Sequence, residues 1–120
     1  MCGLAGIFSN SQNQDKLHKL IKTMLDASRQ RGPDDQGIYA CELGAVGLNR
    51  LSIIDLATGH QPIKNETGNL ILVCNGEIYN YKEIKDYLLL KKHKFSSLTD
   101  VEVILHLFEE EGSQGFSKLD

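Results

Sequence analysis

The second residue of the chain, Cys2, is the residue whose type and position best suit chemistry. Because a small residue after Met1 normally allows the initiator methionine to be removed, the cysteine would become the N-terminus and carry a free α-amino group beside its thiol. An α-amino group has an unperturbed pKa of about 7.7 to 8.0, so part of it is neutral near pH 7 and can accept the thiol proton. The thiolate so formed is a nucleophile. The alternative is that Cys2 is a small apolar residue at the start of a strand.

Other positions carry groups that could bind charged or polar atoms of a ligand. Arg50 lies in a predicted strand, and its guanidinium could hold a carboxylate through two parallel hydrogen bonds or form an ion pair with an acid of the chain. Asn75 and Gly76 form the Asn-Gly pair typical of a hairpin turn, but a side-chain amide and a backbone N–H are also the donors that an oxyanion hole needs. Asp100 begins a predicted helix, where the dipole favours any carboxylate. If Thr99 caps that helix, the Asp100 carboxylate is left to bind an ammonium group.

The remaining candidate residues are expected to be structural. The four histidines are dispersed, without the spacing of a metal site or a triad, and each is expected at the surface or in packing: His18, His60, His93 and His106. Cys41 and Cys74 lie in strand-like segments and are expected to be core thiols. The glutamates at 109–111 are expected to form a solvated helix end. No metal is expected in this chain.

The composition limits the classes of protein that need consideration. The 120 residues carry a net charge of −3, with 41% hydrophobic and 24% charged residues, which predicts one globular domain at most and excludes a disordered chain. No basic stripe is present, so nucleic acid is not an expected partner. No apolar run is long enough to span a membrane and the N-terminus lacks a secretory signal, so a cytoplasmic protein without membrane contact is expected. The odd number of cysteines, 3, argues against a disulfide framework.

The hydrophobic pattern predicts an α+β fold with antiparallel strands. Residues 2–8 form an apolar run typical of a buried strand, and an amphipathic helix follows over residues 17–28. Strand-like stretches, separated by turn signals, lie at 37–41, 45–54 and 70–74. Two further helices are predicted with capping boxes, from Asn80 with Glu83 and from Thr99 with Glu102, and Gly112 is the predicted stop of the second.

Several short blocks of sequence, in a particular order, resemble one family. The blocks are CGLAGIF at 2–8, RGPDD at 31–35, RLSIID at 50–55, GHQPI at 59–63, NGEIYNY at 75–81 and TDVEVIL at 99–105. Together they closely resemble the N-terminal glutaminase domain of glutamine-hydrolysing asparagine synthetases, which are class II, N-terminal-nucleophile (Ntn) amidotransferases. Related amidotransferases that make glucosamine phosphate or phosphoribosylamine share the cysteine start but lack the combination of RGPDD, RLSIID and NGEIYN. The resemblance implies an Ntn-hydrolase-like αββα sandwich with antiparallel sheets.

The resemblance also implies a reaction and a role for each matching residue. Cys2 would attack the side-chain amide of glutamine, release ammonia and form a thioester that water resolves to glutamate. Asn75 and Gly76 would form the oxyanion hole. The implied substrate-binding residues are Arg50 for the α-carboxylate, Asp100 for the α-amino group, and Leu51, Ser52, Ile53, Ile54 and Glu77 for further contacts.

The chain departs from the family pattern in two respects. Many relatives have a histidine two positions before the arginine of RLSIID, where this chain has Leu48, a change expected to alter the pocket wall. The family's glutaminase domain continues beyond the equivalent of Asp120, so residues 1–120 are expected to be a partial domain, incomplete at the C-terminus, with the synthetase domain absent. ATP and magnesium would then belong only to that missing domain, and no cofactor is expected in this chain.

The expected function is the glutaminase portion of an asparagine synthetase, supplying ammonia for the amidation of aspartate. Its partners would be glutamine and a synthetase domain in cis or in trans, and a homodimer is left open. The alternatives are a non-catalytic truncated fragment or interaction module, and the glutaminase part of another asparagine-synthetase-like amidotransferase.

Overall fold

The computed structural model of the protein describes residues 2–9, 13–51 and 59–120. It is a mixed α/β structure with two antiparallel sheets, which agrees with the predicted class. The strands are β1 (Gly3–Phe8), β2 (Asp35–Cys41), β3 (Gly44–Arg50), β4 (Ile63–Lys64) and β5 (Ile71–Leu72). The helices are α1 (Gln14–Ala27), α2 (Tyr81–Leu90) and α3 (Glu102–Glu111), with short 3-10 segments at Arg29–Arg31 and Gly112–Lys118. Within these described ranges, no helix combines the length and apolar character needed to cross a membrane.

The first sheet has the strand order β1-β3-β2 and packs against α1. Asn13 caps α1 by accepting a hydrogen bond from the N–H of Lys16, at 2.9 Å. Since side chains alternate across a strand, odd-numbered residues of β3 face the helix: Ala45 joins a core with Leu17, Ile21 and Leu25. A Cβ at Gly47 would lie only 2.7 Å from Leu25 Cδ1, so the helix and the strand approach too closely there for a larger residue. The opposite face of β3 therefore presents Arg50 away from this core.

A second group of elements packs around α3. One face of α3 meets α2 through a core of Ile84, Leu88, Val103 and Leu107. Another part of α3 packs on the short β4-β5 pair, where Ile63, Val101 and Leu105 are buried together. This arrangement places the residues immediately before α3 next to the chain that follows β5.

The strand predicted at 70–74 is only two residues long, Ile71–Leu72. Its pairing ends because the backbone of Cys74 is bound by the side chain of Gln61 instead of by a neighbouring strand. The Cys74 N–H donates to Gln61 Oε1 at 2.7 Å, and Gln61 Nε2 donates to the Cys74 carbonyl at 3.1 Å.

Neither predicted capping box forms. The side chain of Asn80 makes no cap bond and instead binds the C-terminal segment, donating to the Lys118 carbonyl at 2.7 Å and accepting from the Asp120 N–H at 3.1 Å. The Glu102 carboxylate binds Ser96 and Ser97 rather than the Thr99 N–H. The predicted stop of α3 is confirmed, since Gly112 has a φ of +65°, which glycine adopts without strain.

Candidate active site

A cavity of about 380 Å³ collects most of the residues singled out in the sequence. Its lining comes from the start of β1, the end of β3, the segment around Gln61, the chain after β5 and the chain before α3. The lining residues are Cys2, Arg50, Leu51, Gln61, Cys74, Asn75, Gly76, Glu77, Thr99, Asp100 and Val101. Ser52, Ile53 and Ile54 lie outside the described residues.

Cys2 is held at the edge of this cavity by the end of β3. Antiparallel pairing of Gly3 with Asn49 carries Cys2 alongside the chain that leaves β3. The N–H of Leu51 donates to Cys2 Sγ at 3.3 Å, and the same sulfur lies 3.9 Å from the Leu51 carbonyl oxygen. The half-buried thiol is thus fixed in position while it still faces the cavity.

Asn75 and Gly76 do not form the hairpin turn that the Asn-Gly pair suggested. A type I′ turn needs positive φ at both residues, and neither has it. The Asn75 side-chain amide instead donates to the Cys2 carbonyl at 3.2 Å. A Cβ at Gly76 would meet only Cys74 Sγ, at 3.7 Å, so nothing in the described structure requires glycine there. The Asn-Gly pair is therefore not a turn of this type.

Arg50 ends β3 and is only 7% exposed. The RGPDD loop supports it: the Asp34 N–H donates to the Arg50 carbonyl at 3.1 Å. A Cβ at Gly32 would lie 2.3 Å from the Asn49 carbonyl oxygen, so only glycine allows this loop to cross so close to the strand. Sequence reasoning found no role for the RGPDD block, and the structure shows that it supports the end of β3.

The residue before Arg50 anchors the strand. Asn49 is fully buried, donates to the Leu25 carbonyl at 2.5 Å and accepts from Gln36 Nε2 at 2.8 Å. Leu48 is 1% exposed and is not among the described residues that line the cavity. The expectation that Leu48 alters the pocket wall is therefore not supported by the lining.

Asp100 is almost fully buried and is tied to the loop that carries Asn75. Its Oδ2 accepts a hydrogen bond from the Ile78 N–H at 2.6 Å, and Thr99 Oγ1 donates to its Oδ1 at 3.3 Å. Thr99 thus binds Asp100 and does not cap α3, contrary to the expectation. Asp100 lines the cavity, and its carboxylate already holds these two hydrogen bonds.

Gln61 and Cys74 are site residues that sequence reasoning did not identify. Gln61 precedes a cis peptide bond to Pro62 and clamps the backbone of Cys74 just before Asn75. Burial raises the pKa of the Cys74 thiol, and the charges of Asp100 and Cys2 raise it further. A raised pKa disfavours the thiolate, which is the nucleophilic form of a cysteine. The GHQPI block is recognisable in the sequence, but the sequence does not show that its glutamine binds the backbone of Cys74.

Comparison with known proteins gives consistent results. The profile of the glutamine amidotransferase domain matches residues 1–120. The chain is 45% identical over 114 residues to glutamine-hydrolyzing asparagine synthetase 2 of Bacillus subtilis (strain 168), covering 93% of the chain and 15% of that protein. It is 37% identical over 121 residues to a probable glutamine-hydrolyzing asparagine synthetase of Dictyostelium discoideum, covering 100% of the chain and 22% of that protein. The chain thus spans less than a quarter of the length of these relatives.

Proposed function

Because the chain belongs to the glutamine amidotransferase domain family, we propose that it hydrolyses the side-chain amide of glutamine with Cys2 as the nucleophile. The observation that carries the proposal is that Cys2, Arg50, Asn75 and Asp100 line one cavity although they come from distant parts of the sequence. A nucleophile, two opposite charges and an amide donor are the groups that binding and cleaving a free amino-acid amide require.

In the proposed first step, a bond forms between the Cys2 sulfur and the amide carbon, and the carbonyl electron pair moves to oxygen. The α-amino group of Cys2 takes the thiol proton and passes it to the leaving nitrogen, so that the C–N bond breaks and ammonia departs. Water then adds to the thioester, the C–S bond breaks, and glutamate leaves with the thiol restored.

The oxyanion of each tetrahedral intermediate needs donors already in place. The Asn75 amide has two N–H donors, of which one binds the Cys2 carbonyl and the other is proposed to bind the oxyanion together with the Gly76 backbone N–H. The first bond ties Asn75 to the residue that carries the proposed nucleophile. Such preorganisation is worth most in a site that excludes water.

Arg50 and Asp100 are proposed to bind the amino-acid end of the substrate. The buried guanidinium would hold the α-carboxylate and the buried carboxylate would hold the α-ammonium group. Leu51, Ser52, Ile53, Ile54 and Glu77 are proposed to provide the remaining contacts. A peptide-bound glutamine lacks both terminal charges, so free glutamine is the proposed substrate.

We further propose that the ammonia is used by a synthetase region, in cis or in trans, to amidate aspartate with ATP and magnesium bound in that region. The names of the relatives support this assignment. The two sheets, with α1 on one and α3 on the other, are proposed to be the layers of an Ntn-type αββα sandwich. A cytoplasmic location is proposed because all three cysteines are free.

The proposal can be tested with 6-diazo-5-oxonorleucine, a reactive analogue of glutamine, and intact-mass spectrometry. We expect loss of Met1 and one adduct per chain, mapped to Cys2, and no adduct in Cys2→Ala. Cys74→Ser serves as the matched control and should still be labelled. An adduct on Cys74, or glutamine turnover unchanged in Cys2→Ala, would contradict the proposal. Loss of Met1 without any adduct would favour a non-catalytic module.

A further inference from the structure

Outside the proposed active site, four side chains converge near the end of α3. We name Glu66, His93, His106 and Glu109 the His–Glu cluster. Glu66 follows β4, His93 follows α2, and the other two lie three residues apart on α3. One nitrogen or oxygen atom from each residue lies within 4.8 Å of the corresponding atoms of the other three. None of the four lines the cavity that contains Cys2.

Both imidazoles turn the same ring atom toward the two carboxylates. His93 Nδ1 lies 3.6 Å from Glu66 Oε1 and 3.7 Å from Glu109 Oε2. His106 Nδ1 lies 3.5 Å from Glu66 Oε2 and 3.9 Å from Glu109 Oε2. These distances are too long for good hydrogen bonds. They are close to about 3.4 Å, which is the distance between two ligand atoms of a tetrahedral metal when each lies about 2.1 Å from it.

His106 supplies the second, independent observation. Its side chain is fully buried, and neither Nδ1 nor Nε2 has a hydrogen-bond partner in the described part of the structure. Buried polar atoms of native proteins are nearly always satisfied, so an imidazole in this state calls for a missing partner. Nδ1 lies near the carboxylate oxygens of Glu66 and Glu109, and a cation bound among these atoms would supply that partner.

The other ring nitrogens face an outer layer of carboxylates. His93 Nε2 lies 3.0 Å from Glu110 Oε1, and His106 Nε2 lies 3.6 Å from Glu102 Oε1. Metal-binding histidines typically donate their second N–H to a carboxylate, and His93 is at hydrogen-bond distance for this contact whereas His106 is not. Glu102 is itself held by Ser96 and Ser97.

The two inner carboxylates are also oriented by neighbours. Glu66 Oε1 accepts from the Lys94 N–H at 2.6 Å, and Glu109 Oε1 accepts from Asn65 Nδ2 at 3.1 Å. Each carboxylate thus keeps its second oxygen, Oε2, toward His106. A site whose inner and outer groups are both positioned is prepared for a ligand without a large rearrangement.

We propose that Glu66, His93, His106 and Glu109 bind a divalent transition-metal cation of the zinc type. Imidazole nitrogens and carboxylate oxygens are both ligands of tetrahedral zinc, and the two carboxylates neutralise its charge. Because the site uses four protein ligands, its role is structural. It joins the segment after β4 and the end of α2 to α3, the helix that begins just after Asp100.

This proposal revises two interpretations made from the sequence. The histidines are not dispersed in space, since the rings of His93 and His106 have centroids 5.0 Å apart. The glutamates at 109–111 are not simply a solvated helix end, because Glu109 and Glu110 face these rings. It also replaces the expectation that the chain holds no metal.

The test is a zinc titration of the purified protein after treatment with a chelator, with a chromophoric chelator as competitor. It is made in a Cys2→Ala background so that the N-terminal thiolate does not compete for the metal. We expect one zinc per chain, a higher thermal midpoint with zinc, and a visible cobalt spectrum typical of tetrahedral coordination. His93→Gln and Glu109→Gln should weaken binding at least tenfold, and both replace side chains that are less buried than the fully buried His106.

His60→Gln is the matched control, because His60 also contacts a carboxylate, that of Asp35 at 2.6 Å, but lies outside the cluster. It should bind zinc as tightly as its parent. Circular dichroism without metal should show that all variants remain folded. Absence of stoichiometric binding, or unchanged binding in both His93→Gln and Glu109→Gln, would overturn the proposal. None of these readouts depends on glutamine hydrolysis.

Discussion

The side-chain amide of Asn75 donates a hydrogen bond of 3.2 Å to the carbonyl oxygen of Cys2, across 73 positions of sequence. This bond joins the loop after β5 to the start of β1. It places an amide donor beside the backbone of Cys2. The proposed nucleophile and the proposed oxyanion donor therefore belong to one connected unit.

Asn75→Ala should slow glutamine hydrolysis by on the order of a hundredfold or more, because loss of one oxyanion donor has this effect in other enzymes. Its effect on the free energy of unfolding should be small, since Asn75 is exposed. The measurement is kcat and KM together with the thermal midpoint. A change confined to KM would indicate that Asn75 binds substrate and does not stabilise the transition state.

Gly32→Ala should destabilise the fold by about 2 kcal/mol or more, because the new Cβ would lie 2.3 Å from the backbone oxygen of Asn49. Gly6→Ala is the matched control, since a Cβ there meets only Val46 Cγ1, at 3.7 Å. Urea unfolding of both variants measures the difference. Equal stabilities would show that the RGPDD loop does not pack against β3 as closely as described.

Gln61→Met should remove both hydrogen bonds to the Cys74 backbone and reduce the free energy of unfolding by about 1 to 3 kcal/mol. It should also lower kcat, because the segment that Gln61 clamps leads directly into Asn75. Gln61→Glu can still accept from the Cys74 N–H but cannot donate to the carbonyl, so it should be intermediate in stability. A Gln61→Met protein with normal kcat would limit Gln61 to a structural role.

Cys74 should react with iodoacetamide only at a pH above that of an ordinary thiol, because burial and the Asp100 charge raise its pKa. Asp100→Asn keeps an acceptor for the Ile78 N–H but removes the charge, so it should shift the alkylation profile of Cys74 to lower pH. The raised pKa of Cys74 also makes the stability of the fold depend on pH. Because this pKa is higher in the folded state than the ordinary value of 9.0, the contribution of Cys74 to the free energy of unfolding is intact below pH 9 and is lost as the pH rises further. Site-resolved mass spectrometry measures the alkylation of Cys74 against pH in the parent and in Asp100→Asn, and identical profiles would exclude this effect of Asp100.

Local patterns of the sequence were sufficient for much of the fold. The apolar run at 2–8 corresponds to β1, but this strand is buried on one face only, since Leu4 and Phe8 are exposed. The helical spacing after Asn13 corresponds to α1, with Leu17, Ile21 and Leu25 on its buried face. The strand predicted at 45–54 corresponds to β3 over its described residues, and Arg50 lies on the face opposite to Ala45. These features depend on the strand period of two and the helix period of 3.6, which neighbouring residues alone establish.

The residue types and blocks of the sequence by themselves determined the family and the set of polar groups around Cys2, because those groups occur within short local motifs. Only the tertiary structure decided which partners the polar side chains use. Glu102 bonds to Ser96 and Ser97 in place of a capping box, Gln61 bonds to Cys74, and His93 meets His106. Each of these contacts joins residues whose separation is set by how the helices and sheets pack. A donor in the sequence has many acceptors of equal chemical quality until packing leaves one within reach.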